Sequence, residues 1–169
     1  RQHDAKAKAI LEKAIATFKP DLLYERSEYL QDSGALMAKK FGFQYYLEVN
    51  APLVQEMYGF EGYSLYHKKA HKIERFKLSA AHKIIAVSSA LSHYLSEQYN
   101  IIANKFLVQP NCINPEQAQN ADAQKAHKIN AFNKSSGKVI GFVGSMFPYH
   151  GVDKLIAAYK YVQAKHSNA

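Results

Sequence analysis

The sequence predicts an α/β fold in which a parallel sheet is flanked by helices, and three observations predict it. Short apolar runs alternate with longer segments whose apolar residues recur at three- and four-residue steps. The short runs carry little polar alternation, the pattern of parallel strands covered on both faces. No internal repeat of solenoid period is present.

The elements follow in order. Residues 4–19 read as a helix through Ala5, Ala9, Ile10, Ala14, Ile15 and Phe18, stopped by Pro20. Leu22–Tyr24 form a short strand, and residues 29–41 a second helix with Gly42 as its stop. Tyr45–Val49 read as a strand. Pro52 opens a helical stretch broken near Gly59 and Gly62, and a longer helix is expected from about Tyr63 to Ala81. Ile84–Val87 form a strand, and Ser88 or Ser89 caps a helix reaching Tyr99. Phe106–Val108 form another strand, followed by a polar stretch over 112–137. Val139–Val143 read as a strand, 144–151 as a loop, and Val152 to about Lys165 as an amphipathic helix. The expected organisation is one α/β domain over 1–111, a linker over 112–137, and the first βα unit of a second domain over 138–169.

Composition narrows the function classes. In 169 residues, 47% are hydrophobic and 21% charged, which supports a packed core and argues against disorder. The single cysteine, Cys112, excludes an internal disulfide and any Cys-rich zinc module. No apolar run approaches the ~18 residues of a membrane helix. The chain starts at Arg1 without a signal-like segment and reads as an internal piece of a longer protein. A net charge of +8 fits nucleic acid, an anionic membrane or a phosphorylated substrate, and does not choose among them.

Open α/β sheets bind ligands outside the carboxyl ends of their strands. Here those ends are Glu25-Arg26-Ser27, Glu48-Val49-Asn50, Ser88-Ser89, Pro110-Asn111 and Gly144-Ser145. A guanidinium, carboxylates, amides, hydroxyls and a glycine loop suit a polyhydroxylated or phosphorylated ligand. The plainer readings are that Ser88 and Asn50 cap helices and that Arg26 and Glu48 form a structural ion pair. The loop Gly141 to Gly151 is the most informative stretch. Glycine after a strand lets a ligand approach the backbone. The helix that follows offers its amino-terminal N–H groups to an anion, with His150 beside it. Neither GxGxxG nor the P-loop GxxxxGK[ST] is present.

One helix carries His67 and His71 a turn apart, a spacing that can hold zinc. Lys68 stands where HExxH needs glutamate, and no third ligand is evident, so a solvated helix face is the simpler reading. The same stretch holds Lys68, Lys69, Lys72, Arg75, Lys77 and Lys83 among Leu65, Ile73, Phe76 and Leu78. A basic amphipathic helix of this kind can engage an anionic membrane or a partner, whereas no nucleic-acid motif accompanies it.

The order of motifs resembles family 4 glycosyltransferases of the GT-B fold. The matching stretches are Pro20-Asp21-Leu22-Leu23-Tyr24-Glu25-Arg26, Glu48-Val49-Asn50-Ala51-Pro52-Leu53, Ala81-His82-Lys83-Ile84-Ile85-Ala86-Val87-Ser88 and Val108-Gln109-Pro110-Asn111. The last is Val139 to Ser145 running on to His150-Gly151-Val152-Asp153-Lys154-Leu155. The resemblance implies two Rossmann-like domains across a cleft, the second truncated here, and retaining transfer of a sugar from a nucleotide-sugar donor to an acceptor. It implies that the donor is substrate and that no cofactor or metal is needed. By position Gly144 and Ser145 match the loop that approaches the donor diphosphate, and His150-Gly151 stands where many relatives have Lys-Gly. Arg26, Glu48 and Asn50 match strand ends on the acceptor side, with Ser88 and Asn111 further along the same edge. Glu48 and Glu56 repeat the spacing of the family's donor-domain glutamates but lie in the acceptor half, so no catalytic role is carried over. Most of the donor site is expected beyond Ala169, which leaves this stretch alone inactive. A cytoplasmic protein, peripheral at the inner membrane face, is the location the resemblance implies.

Overall fold

The computed structural model describes residues 2–61, 66–116 and 140–166. It divides into two compact units, Arg1–Asn111 and Cys112–Ala169. The first unit runs α1 (Gln2–Phe18), β1 (Leu22–Arg26), α2 (Ser33–Phe41), β2 (Gln44–Val49), α3 (Leu53–Glu61), α4 (His67–Ala80), β3 (Lys83–Ala86), α5 (Ser89–Tyr99) and β4 (Phe106–Val108). The second contains α6 (Val152–Lys165), preceded by a 3-10 turn at Pro148–His150.

Local chemistry explains most boundaries. Pro20 disfavours helical backbone at Lys19, which turns to φ 47° and closes α1 with an N–H bond to Ile15 O. Gly42 takes φ 77° and its N–H reaches Ala38 O, ending α2 as the sequence indicated. Ser88 Oγ accepts from Leu91 N at 3.1 Å and starts α5. Two expectations shift. The second helix begins at Ser33 rather than 29, because Leu30 adopts φ 60° in a turn. α3 runs on through Gly59 instead of breaking there. Residues 62–65, at the expected start of the long helix, lie outside the described residues, as do 117–139 of the expected linker and strand.

The four strands are parallel, and their order is β1-β2-β3-β4. Consecutive right-handed crossovers in that order place every connecting helix on one face. Side-chain exposure agrees. Tyr45, Leu47, Val49, Ile84 and Ala86 are wholly buried on the covered face, against Ala35, Met37 and Ala38 of α2, Leu78 of α4 and Leu91 and Leu95 of α5. The opposite face carries Leu22, Tyr24 and Arg26, all exposed, with Tyr46, Glu48, Lys83 and Ile85 half-buried. The expectation of a sheet covered on both faces is therefore corrected: among the described residues only one face is covered, because the strand order never reverses.

In the second unit, residues 140–143 do not form a paired strand. Among the described residues α6 buries no side chain.

Candidate functional site

The carboxyl ends of β1 and β2 bring several polar groups together. Arg26 ends β1 and is exposed, and its register partner on β2 is Glu48. Strand parity sends neighbouring residues to opposite faces, so Glu25 and Arg26 part company. Glu25 turns to the covered face, where Tyr45 Oη donates to its Oε2 at 2.9 Å. A β-carbon on Gly34 of α2 would lie 1.6 Å from that Oε2, so only glycine admits the carboxylate. Glu25 thus serves the packing, whereas Arg26 remains at the open face.

Glu48 is held from both sides. Tyr24 Oη donates to Oε2 at 2.5 Å, and Asn50 Nδ2 donates to Oε1 at 2.7 Å. These two bonds, with a smaller contribution from the Arg26 charge, hold the Glu48 carboxyl below the usual glutamate range. The same bond pushes the Tyr24 hydroxyl up, because the phenol is needed as a donor. Glu48 therefore does not depend on an ion pair with Arg26. Asn50 donates its amide N–H to Glu48, and its Oδ1 accepts no backbone N–H, so it does not cap a helix. Its Oδ1 is buried with no hydrogen-bond partner. A buried acceptor left unpaired costs about 1–3 kcal/mol and calls for an explanation.

Ser88 lies at the end of β3, but its oxygen caps α5. Its function there is structural, with the hydroxyl proton still available to a ligand. Gln109 N donates to Ala86 O at 2.9 Å and extends the sheet beyond β4, carrying the exposed Asn111 to the same edge. A groove of about 540 Å³ between α1 and α2 lies at the opposite edge, lined by Ile15, Asp21, Phe41 and Gln44.

Sequence reasoning missed what supports the β1 end. Lys77 is wholly buried, and all three of its N–H groups are used: on Ser27 Oγ at 2.7 Å, Glu28 O at 2.9 Å and Glu74 Oε2 at 3.0 Å. It ties α4 to the loop that follows Arg26. Read from sequence it belonged to a basic stripe. Only its i,i+3 partner Glu74 signalled otherwise.

In the second unit the glycine loop closes on itself. His150 Nδ1 lies 2.6 Å from Ser145 O and 3.2 Å from Ser145 Oγ. A carbonyl can only accept, so Nδ1 carries the proton. Nε2 is then an acceptor when the ring is neutral and a second donor when it is charged. A β-carbon on Gly144 would meet the Phe142 ring at 2.9 Å, and that ring lies 6.2 Å from His150, centroid to centroid. Gly151 takes φ 64° and precedes α6, whose first N–H groups stand beside the loop. Gly144, Ser145, His150 and Gly151 are thus gathered in one loop. Asp153 already places a negative charge in the first turn of α6.

Among the described residues, no group of three or more His, Cys, Asp or Glu side chains is placed to hold a metal ion, and no helix is long and apolar enough to cross a membrane. No curated protein matches the chain. The sequence profile of Glycosyltransferase Family 4 matches residues 1–117, which include the whole described sheet. With the parallel sheet, its flanking helices and the polar edge at the ends of β1 and β2, the chain belongs to glycosyltransferase family 4.

Proposed function

We propose that the chain serves retaining transfer of a sugar from a nucleotide-sugar donor to an acceptor hydroxyl. The first unit would hold the acceptor along Arg26, Glu48, Asn50, Ser88 and Asn111. The loop at Gly144, Ser145, His150 and Gly151 would receive the donor diphosphate. In such a transfer the bond from the sugar to the diphosphate breaks, a bond to the acceptor oxygen forms, and the acceptor proton leaves with the diphosphate. Negative charge grows on the departing oxygen, where the first N–H groups of α6 and a charged His150 would stabilise it.

Beyond family membership, one observation carries this reading: the buried, unpaired Oδ1 of Asn50 beside a Glu48 carboxylate kept ionised by Tyr24. An acceptor and an anion side by side suit the hydroxyls of a sugar, which donate. The basic side of α4 supports a second contact. Lys68, Lys69, Lys72 and Arg75 are exposed, whereas Ala70 and Leu78 are buried in the core. Binding to an anionic membrane would therefore rest on charge alone and fade with salt.

The test is turnover by the protein at its native length, offered nucleoside-diphosphate sugars in turn, with release of nucleoside diphosphate followed and the product anomer read by NMR. Release with retained configuration supports the proposal, and Gly144→Trp should weaken donor binding. Failure to bind any such donor, or inverted product, contradicts it.

A further inference from the structure

We propose that His67 and His71, on the first turns of α4, form a binding site for a zinc-class divalent transition-metal cation. The two residues stand one above the other on the same helical face. Their Nε2 atoms are 3.2 Å apart, with the rings crossed at 88° and centroids 4.5 Å apart. Two imidazole nitrogens on one tetrahedral zinc, at ~2.0–2.1 Å each, lie about 3.3 Å from one another. The bite of the pair matches, and a cation would take the place of the hydrogen bond that now joins the two nitrogens.

A second observation points the same way. Tyr99 Oη of α5 lies 3.1 Å from Nδ1 of His71. A metal on Nε2 requires the tautomer in which Nδ1 carries the proton, and Tyr99 Oη stands where it can accept that N–H. Histidines that bind metals are held by such a partner on the other ring nitrogen. Tyr99 is itself buried, which anchors the support. The groups acting on His71 are His67 from the same helix, Tyr99 from α5 and the buried Glu74 one turn further along α4. Imidazole ligands select zinc, copper or nickel over magnesium and calcium, which prefer oxygen. Among the described residues no third His, Cys, Asp or Glu ligand is placed beside the pair.

The test titrates zinc ion alone into the untagged chain near neutral pH, with magnesium in parallel. One zinc per chain is expected and no saturable magnesium. His67→Gln and His71→Asn should each weaken zinc binding tenfold or more, and Tyr99→Phe about tenfold although both imidazoles remain. His93→Ala, at an exposed position on α5, should leave it unchanged. His67→Gln alters a half-exposed side chain, and circular dichroism confirms that each variant is folded. No saturable zinc uptake by the folded chain, or uptake indifferent to His67→Gln, would overturn the proposal.

Discussion

The two faces of the sheet use similar residues for opposite ends. On the covered face Tyr45 is wholly buried, and its hydroxyl is committed to Glu25. On the open face Tyr24 is half exposed, and its hydroxyl is committed to Glu48. Burial and the Glu25 carboxylate drive the Tyr45 hydroxyl far above its ordinary range, so it is a fixed structural donor. Tyr24 and Glu48 shape each other on the face open to solvent. Polar groups of one kind become buried framework or exposed edge according to strand parity, and a single-residue step along β1 separates the two.

The largest effect should come from the framework. Lys77→Met leaves Glu74 buried without its cation, and should destabilise the first unit by about 3–5 kcal/mol in chemical denaturation. Adding Glu74→Leu should recover most of that loss. Next comes the same truncation made on each face. Leu47→Ala opens a cavity against the helices and should lose about 2–5 kcal/mol. Leu22→Ala, at a position 42% exposed, should lose about 1 kcal/mol or less, and equal losses would dissolve the distinction. Ser88→Ala removes the α5 cap and should lose about 1 kcal/mol, because the cap is structural whatever else the residue does.

The smallest effect concerns pH. Glu48 has a folded pKa depressed below its unfolded value, chiefly by Tyr24. Its contribution to stability is therefore present above the ordinary glutamate pKa and is lost as pH falls through the depressed one. Tyr24→Phe should raise the Glu48 pKa and flatten that acid limb, as read by carboxyl NMR titration. No change would mean that Asn50 alone holds the carboxylate.

Much of the fold was legible because its signals are local. Pro20, Gly42 and Ser88 each act within one helical turn, and the strands of the first unit are short apolar runs. What was not legible depends on topology. Covering both faces requires a reversal of strand order, which no local pattern encodes. Without it, β1–β4 place their helices on one side. Likewise Glu25 and Arg26 are neighbours in sequence, and only the register of β1 on β2 assigns one to packing. Lys77 looked solvated because its acceptors, Ser27 Oγ and Glu28 O, are some fifty residues away. Of the candidate site, the residue identities at the strand ends were readable, but the Tyr24–Glu48–Asn50 chain of bonds was not, since Tyr24 joins it only through pairing of adjacent strands.

Under the proposed function, the polar edge at β1 and β2 holds substrate and is not a structural network. The most direct test introduces Arg26→Ala with Glu48→Gln into the protein at native length, and measures thermal stability and sugar transfer side by side. The Tm should be nearly unchanged, since both groups lie on the open face, with transfer reduced at least tenfold. A large fall in Tm, or full transfer activity in the stable double variant, would contradict it.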